Sequence, residues 1–399
     1  MFNAILKDLK EIKTPFYLYD SRIIDEKSII LQKSFSEFAE LFFAVKANSS
    51  LSLLRVLNQN GIGAEVVSPG EIFVALKAGI PPQRILYDSL ARKEKEIKYA
   101  IDNGIEFFNF ESPAQAVILD NCAKNSKQKI NAFVRINPGI FPKTHSHLST
   151  GSSWSKFGIP MKDLNRVYEV AKDFKSIELV GVHYHIGSQI LTPEPYLEAL
   201  KKIESTIGFF EERGLTIKYI NLGGGFGIPY KEREKGFHAE SLTKTYREIS
   251  NKYKVKIFLE LGRFLVGESG FIITRIIDIK DREGIPLYVV DSGMNDNPRP
   301  AIYDAYHHIE PLFETKGKRH KSRVVGPICE NSDEFGTYEL PSLFVGDLLI
   351  IYSCGAYTRT MASNYNGRLL PAEYLYDGKK IRQIRKEQQL EDLIANEKF

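Results

Sequence analysis

Cysteine is scarce in this chain: Cys122, Cys329 and Cys354 stand far apart among 399 residues. So sparse and odd a count excludes a disulfide framework and a closely spaced zinc ligand set, and it predicts a reducing, cytoplasmic setting. Net charge is equally scarce. The 54 basic side chains nearly balance 50 acidic ones and leave +4, so charge gives no case for nucleic acid or an anionic membrane as a partner. The mixed-charge runs RKEKEIK (92–98) and KEREKG (231–236) read as solvated faces or loops. No apolar run approaches the ~20 residues of a membrane span. The opening MFNAILKDLKEIKTP carries acidic residues and no apolar stretch ahead of a small-residue cleavage site, which predicts an amphipathic helix rather than a cleaved leader. Short repeats and low-complexity segments are also missing.

What the chain does have is an alternation. Apolar β-like runs are each followed by a helix-length amphipathic segment: LFFAV (41–45), GAEVV (63–67), RILYD (84–88), EFFNF (106–110), NAFVRI (131–136), LVGVHYH (179–185), KYINL (218–222) and KIFLE, ending at Glu260. The first five begin about every twenty residues, the period of a βα unit, and the last three are spaced more widely. Eight such units predict a (β/α)8 TIM-type barrel over residues 25–270, with a doubly wound open sheet as the runner-up. After Gly270 the texture changes to β-branched and aromatic runs separated by turns without helices: FIITRIIDI (271–279), PLYVVD (286–291), LFVGDLLIIY (343–352) and EYLYDGKKIRQI (373–384). TPFYLYD (14–20) is one more strand ahead of the barrel. A mostly β domain, barrel or sandwich, is therefore expected from residues 1–24 together with 271–399.

Barrel chemistry collects at the C-terminal ends of the strands. In chain order those ends carry Lys46, Glu65 with Ser68, Asp88, Glu111, Arg135 with Asn137, His183-Tyr184-His185, Gly223-Gly224-Gly225, and Glu260 with Gly262 and Arg263. Singly, each has an ordinary reading: a strand surfacing at a lysine, glycines permitting a tight turn, a hydrogen-bonded core histidine. Jointly they form one chemical set. Lys46, carried out of an apolar strand with no acid beside it in FFAVKANSS, is expected to be desolvated and usable as an amine nucleophile. Ser188 and the open backbone of Gly223–Gly225 suit a phosphate, Glu260 could pair with a protonated ring nitrogen, and His185 could stack on a ring. An amine for an aldehyde, donors for a phosphate and an acid for a pyridinium describe a pyridoxal 5′-phosphate site, with no metal.

These residues also carry a resemblance. FFAVKAN, VRINP, KTHSHLSTG followed by SKFGI, HYHIGSQ, NLGGGFGIPY, ELGR, DSGMNDNPRPAIYDAYH, GPICENSD and GAYTRTMASNYN occur in the order seen in diaminopimelate decarboxylases. The resemblance spans about residues 14 to 385. It implies an alanine-racemase-like barrel with a C-terminal β domain, and decarboxylation of meso-2,6-diaminoheptanedioate to L-lysine and CO2, the last step of lysine biosynthesis. Lys46 is similar to the family's cofactor-bonding lysine. Glu65, Arg135, His185, Ser188, Gly224, Gly225, Glu260, Gly262, Arg263 and Tyr365 are implied around the cofactor. Arg263, Arg299, Tyr303, Glu330 and Tyr365 are implied around the substrate, and Cys329 as the acid that returns a proton. In the family Cys329 and Glu330 come from the second subunit of a head-to-tail homodimer. The chain departs from the usual pattern at Leu261 (proline), Asn331 (serine), Arg359 (an apolar residue) and Gly367 (serine or threonine). The alternative is a same-fold decarboxylase for another diamino acid or a carrier-bound amino acid. An alanine-racemase-type enzyme fits less well because of the chain length and the second arginine, and a non-catalytic cofactor-binding barrel because it needs no β module carrying Cys329, Glu330 and Tyr365.

Overall fold

The structure, a computed structural model, describes residues 2–140, 156–313 and 317–398; the KTHSHLSTG stretch (143–151) lies outside the described residues. The chain divides into two compact units. One comprises Asp25–Ile228 and Lys235–Leu265, the other Met1–Ile24, Pro229–Glu234 and Val266–Phe399.

In chain order the strands are β1 (Phe16–Asp20), β2 (Ala39–Ala44), β3 (Gly63–Val66), β4 (Ile85–Tyr87), β5 (Phe107–Phe110), β6 (Ile130–Asn137), β7 (Ile159–Pro160), β8 (Ile177–His183), β9 (Tyr219–Asn221) and β10 (Lys256–Glu260). Eight of them, β2 to β6 and β8 to β10, are parallel. They run in the order β5-β4-β3-β2-β10-β9-β8-β6 and close through a β5–β6 pairing, while β7 lies beside the end of β6. This is the expected (β/α)8 barrel. Two of its helices start with the same device. Ser68 and Ser112 each accept a backbone N–H from three residues on, proline holds the first helical position, and Glu71 and Gln115 reach back to the N–H of Val67 and Glu111. That is a capping box displaced by one residue, and it starts a helix sharply after a short strand. Ser68, expected on the catalytic rim, is a helix cap.

The barrel interior has two layers, and period-two alternation along each strand produces them. Phe42, Leu86, Phe133, Val180 and Phe258, with Phe107 and Tyr219 against them, fill the lower layer. Phe258 touches Phe42, Phe107, Phe133 and Tyr219 at ring-centroid distances of 4.8–5.4 Å. Gly181 makes room, since a Cβ there would lie 2.5 Å from the Phe133 ring. Two residues further along the strands the inward positions turn polar: Gly63 is followed by Glu65, Leu86 by Asp88, Phe107 by Asn109, Phe133 by Arg135, Gly181 by His183, Tyr219 by Asn221 and Phe258 by Glu260. An apolar plug thus carries a buried polar layer above it.

The second unit is built on β1 and on β11 (Gly270–Arg282), β12 (Ile285–Val290), β13 (Ile309–Pro311), β14 (His320–Val325), β15 (Glu334–Leu340), β16 (Leu348–Ile351), β17 (Ala372–Tyr376) and β18 (Ile381–Arg385). They form one branched, mixed sheet in the order β15-β14-β12-β11-β1-β17-β18, with β16 pairing both β11 and β13. The first half of β11 pairs with β1 and β16, the second half with β12. Phe16, Leu18, Ile273 and Ile350 pack with Ile5 and Leu9 of the N-terminal helix Phe2–Glu11. The unit takes in Val266–Ser269, ahead of the expected boundary at 270, because Gly355 packs onto the Val266 carbonyl and bonds the Gly267 carbonyl at 3.0 Å. It is also not free of helix. Arg299–Tyr303 is a short helix started by Pro298 and Pro300.

Candidate active site

Lys46 does not end its strand. β2 stops at Ala44, and Val45–Ala47 form a single 3-10 turn that swings the side chain over the neighbouring strand. There its Nζ donates to both carboxylate oxygens of Glu65, at 2.8 and 2.7 Å. The expectation of a desolvated ammonium with no acid nearby is corrected on both counts. The side chain keeps 40% of its exposure, and the acid comes from β3, whose Glu65 lies opposite Ala44 in the parallel register. Burial pushes the fully enclosed Glu65 above the ordinary carboxylate range, and Lys46 pulls it back.

Above the aromatic plug, partners reach across the barrel interior to hold the polar layer, most of them from alternate strands. Arg135 donates to Asp88 at 3.1 Å; burial raises that acid, but the Arg135 guanidinium outweighs it and Asp88 stays well below its ordinary value. His183 Nδ1 meets the Asn109 amide at 2.9 Å, and its Nε2 lies 3.5 Å from Glu260. Enclosure drives His183 down to about 3, so the ring is neutral. Glu260 accepts from Asn221 at 2.6 Å, and the other end of the Asn221 amide accepts the Gly223 N–H at 2.9 Å. Burial, with Glu65 and Asp88 adding repulsion, pushes Glu260 up to about 8. Ligand atoms of Asp88, His183 and Glu260 lie within 4.8 Å of one another, close enough to hold a cation. Arg135 and Lys46 already supply positive charge to those acids, which works against a metal there.

The chain leaves β9 through Gly223–Gly225, and backbone contact demands these glycines. A Cβ on Gly224 would stand 1.8 Å from the Glu260 carbonyl oxygen, and one on Gly225 would stand 2.2 Å from that of Gly187, with φ at +101°. The Gly224 N–H donates to His185 Nδ1 at 3.3 Å, two residues past the end of β8. Burial and nearby cations hold His185 well below its ordinary value. Arg263 donates to Ser188 at 3.2 Å, so the two sides of the cleft around the glycine turn are tied together. Gly262, buried, accepts from the Leu265 N–H at 3.2 Å and turns the chain into the helix Arg263–Val266. Leu261, where proline was the usual residue, uses its N–H: it donates to the Phe42 carbonyl at 2.8 Å and knits β10 to β2.

The remaining predicted residues belong to the β unit. Arg299, buried, opens the short helix that Tyr303 closes. Cys329 is exposed, its backbone N–H bonded to Asn366 at 2.9 Å. Glu330, exposed beside it, accepts from the Tyr365 hydroxyl at 2.6 Å. The structure thus brings Cys329, Glu330 and Tyr365 together. Two departures have structural reasons here: Gly367 sits at φ +66°, where glycine is favoured, and Arg359 pairs with the fully buried Glu373 at 3.4 Å. Asn331 is exposed.

Sequence reasoning placed Asp88 and His183 on the rim without a role and missed Asn109 and Asn221 altogether. Each stands two residues after an apolar inward residue near a strand end, and that spacing was the available signal.

The profile for the pyridoxal-binding domain of pyridoxal-dependent decarboxylases matches residues 22–267. The chain is 39% identical over 391 residues to diaminopimelate decarboxylase of Aquifex aeolicus (strain VF5), covering 98% of this chain and 93% of that protein. It belongs to the diaminopimelate decarboxylase family. Among solved structures, the family member from Helicobacter pylori complexed with L-lysine superposes with a TM-score of 0.93 at 36% identity, over 98% of both chains. The lysine decarboxylase of Selenomonas ruminantium, at 22% identity and a TM-score of 0.83, shares the fold. The barrel and β unit of this diaminopimelate decarboxylase family member are therefore a known pair. Its relatives are carboxy-lyases, and its polar layer lies in the segment that the pyridoxal-binding profile covers.

Proposed function

We propose that this chain is a pyridoxal phosphate-dependent carboxy-lyase that converts meso-2,6-diaminoheptanedioate to L-lysine and CO2. The observation that carries the reading is the Lys46–Glu65 pair set above a buried layer that ends in Glu260 and a glycine turn. Pyridoxal phosphate presents an aldehyde, a phosphate and a ring nitrogen, and the chain has a matching group for each. Lys46 supplies the amine for the aldehyde. Gly224, Gly225, Gly262, Ser188 and Arg263 supply backbone and side-chain donors for the phosphate, with Tyr365 added from the β unit. Glu260 supplies the carboxylate for the ring nitrogen, His185 a flat face, and Arg135 and Glu65 the surrounding charge. The fit is tightest at Gly224, where any side chain would close the turn.

When bound, the cofactor stores the electron pair released as CO2 departs. The protein's part is to hold, orient and protonate. Asn221 fixes Glu260 as a buried acid pushed up to about 8, so that it can meet a ring nitrogen in either protonation state. Glu65 holds the Lys46 Nζ in place and is the base within reach that would take the proton the ammonium must shed before its amine can bond an aldehyde. Arg263, Arg299 and Tyr303 bind the distal carboxylate, Glu330 the distal amine, and Cys329 delivers the proton that replaces CO2 from its Sγ. Binding energy at the distal end thereby orients the bond that breaks. Cys329 and Glu330 act in the site of a second copy, so the working enzyme is a homodimer, and its setting is the cytoplasm.

The test is a product assay with purified protein, pyridoxal phosphate and meso-diaminopimelate, run beside lysine, ornithine and arginine. CO2 and L-lysine from meso-diaminopimelate alone are expected. Equal or faster turnover of another amino acid would overturn the substrate, and no turnover of any would overturn the activity.

A further inference from the structure

The β unit contains a buried histidine that nothing above uses. His307 is fully enclosed, and both of its ring nitrogens are engaged. Nδ1 lies 2.9 Å from the carbonyl oxygen of Tyr352, just past β16, and Nε2 lies 2.8 Å from Nη1 of Arg299. A carbonyl oxygen can only accept and a guanidinium N–H can only donate. One state of the imidazole satisfies both: neutral, with its proton on Nδ1 and its lone pair on Nε2 facing Arg299. The surroundings are consistent with that state. The Cys354 thiol, which burial pushes well up so that it stays protonated, shares the Tyr352 carbonyl at 3.4 Å. The Tyr338 hydroxyl binds the His307 backbone carbonyl at 2.9 Å. The Tyr230 ring meets His307 edge-on at 5.3 Å and lies 4.6 Å under the Arg299 guanidinium.

The consequence concerns the charge of Arg299. A carboxylate in the place of His307 would orient the guanidinium equally well but would cancel its charge. A neutral imidazole and an aromatic face fix the plane of the fork without themselves adding negative charge beside it. We propose that His307 is a positioning residue for Arg299 and a determinant of specificity for substrates with a distal carboxylate. This rests on the reading of Arg299 as the ligand of that carboxylate.

The experiment compares the holoenzyme with three variants on meso-diaminopimelate: Arg299→Met, His307→Gln and His307→Asn. Glutamine carries its side-chain carbonyl at the position of Nε2 and can accept from Arg299. Asparagine reproduces only the Nδ1 end and does not reach. His307→Asn is expected to raise KM roughly tenfold with kcat within about twofold, and His307→Gln to restore KM to within about twofold of the parent. Melting temperature and cofactor absorbance are read alongside, so that the pair is compared between folded, loaded proteins. Equal KM values for the Gln and Asn variants, with Arg299→Met raising KM, would overturn the role of His307 and leave that of Arg299 standing. An unchanged KM in Arg299→Met would overturn both.

Discussion

Glu65, His183 and Glu260 sit inside the barrel almost without exposure, each with polar neighbours from other strands, whereas Cys329, Glu330 and Tyr365 stand in solvent on loops of the β unit. The barrel set is finished by the folding of one chain. Closing the strands brings Lys46 onto Glu65 and Asn221 onto Glu260, and burial then shifts the titration of the acids. The β-unit set is joined by hydrogen bonds from Tyr365 to Glu330 and from the Cys329 N–H to Asn366, and it stands exposed. Reactive groups left in water are poorly placed to control a proton, because solvent competes for it. Their exposure is consistent with a site that a second copy's surface completes.

The sharpest way to break this comparison is to disable each set separately. Lys46→Ala should lower activity on the order of 10³-fold or more and abolish the absorbance of lysine-bound cofactor. Cys329→Ala should lower kcat by about 10²-fold while leaving the melting temperature unchanged, since the side chain is exposed. Mixing the two inactive proteins under exchange conditions should then restore about a quarter of the parent activity, because half of the dimers would hold one intact site. No recovery on mixing would show that each chain uses its own Cys329.

Gly224→Ala probes how tightly the barrel set is built. The added methyl would collide with the Glu260 carbonyl oxygen, so a loss of roughly 3 kcal/mol in unfolding free energy and weakened cofactor retention are expected. Denaturant titration of the loaded and unloaded protein measures both.

Glu260 provides a pH test of burial itself. Its carboxyl moves from 4.5 to about 8 on folding of the cofactor-free protein, so the folded state keeps a proton that the unfolded state has released. Its contribution to stability is full below 4.5 and is lost as pH rises through about 8. Melting temperature should therefore fall with rising pH across that window, and Glu260→Gln should flatten the slope. A parent profile already flat from pH 5 to 8 would contradict the assignment.

The smallest effect is expected in the exposed set. Tyr365→Phe removes one solvent-accessible hydrogen bond and should leave the melting temperature unchanged. Its KM should rise a few-fold, as measured by steady-state kinetics with meso-diaminopimelate.

Much of the barrel was legible in the order of residues. The strand runs stand within a residue or two of β2–β6 and β8–β10, because alternating and apolar runs of that length have few other ways to be buried. Strand-end position also picked out Lys46, Glu65, His185 and Glu260, because side chains at those ends share one mouth. The pairing of charges was not legible. Lys46 and Glu65 lie 19 residues apart, and only the β2–β3 register makes them neighbours. Asn221 went unnoticed because asparagine at a strand end reads as a turn former until its amide is seen between Glu260 and Gly223. In the β unit, the helix Arg299–Tyr303 went unnoticed because it is only five residues long, too short for a helical period to show.

The sequence by itself determined the alternation that makes the barrel, the glycines that its backbone requires, and the family to which the chain belongs. Those properties are local or one-dimensional: spacing, residue type and order survive in a written sequence. The tertiary structure alone decided which acid meets Lys46, that Glu260 titrates near neutrality, and that His307 presents a lone pair to Arg299. Each depends on what lies across a strand gap or a loop and on how much water has been removed, and both come into being only when the chain closes on itself.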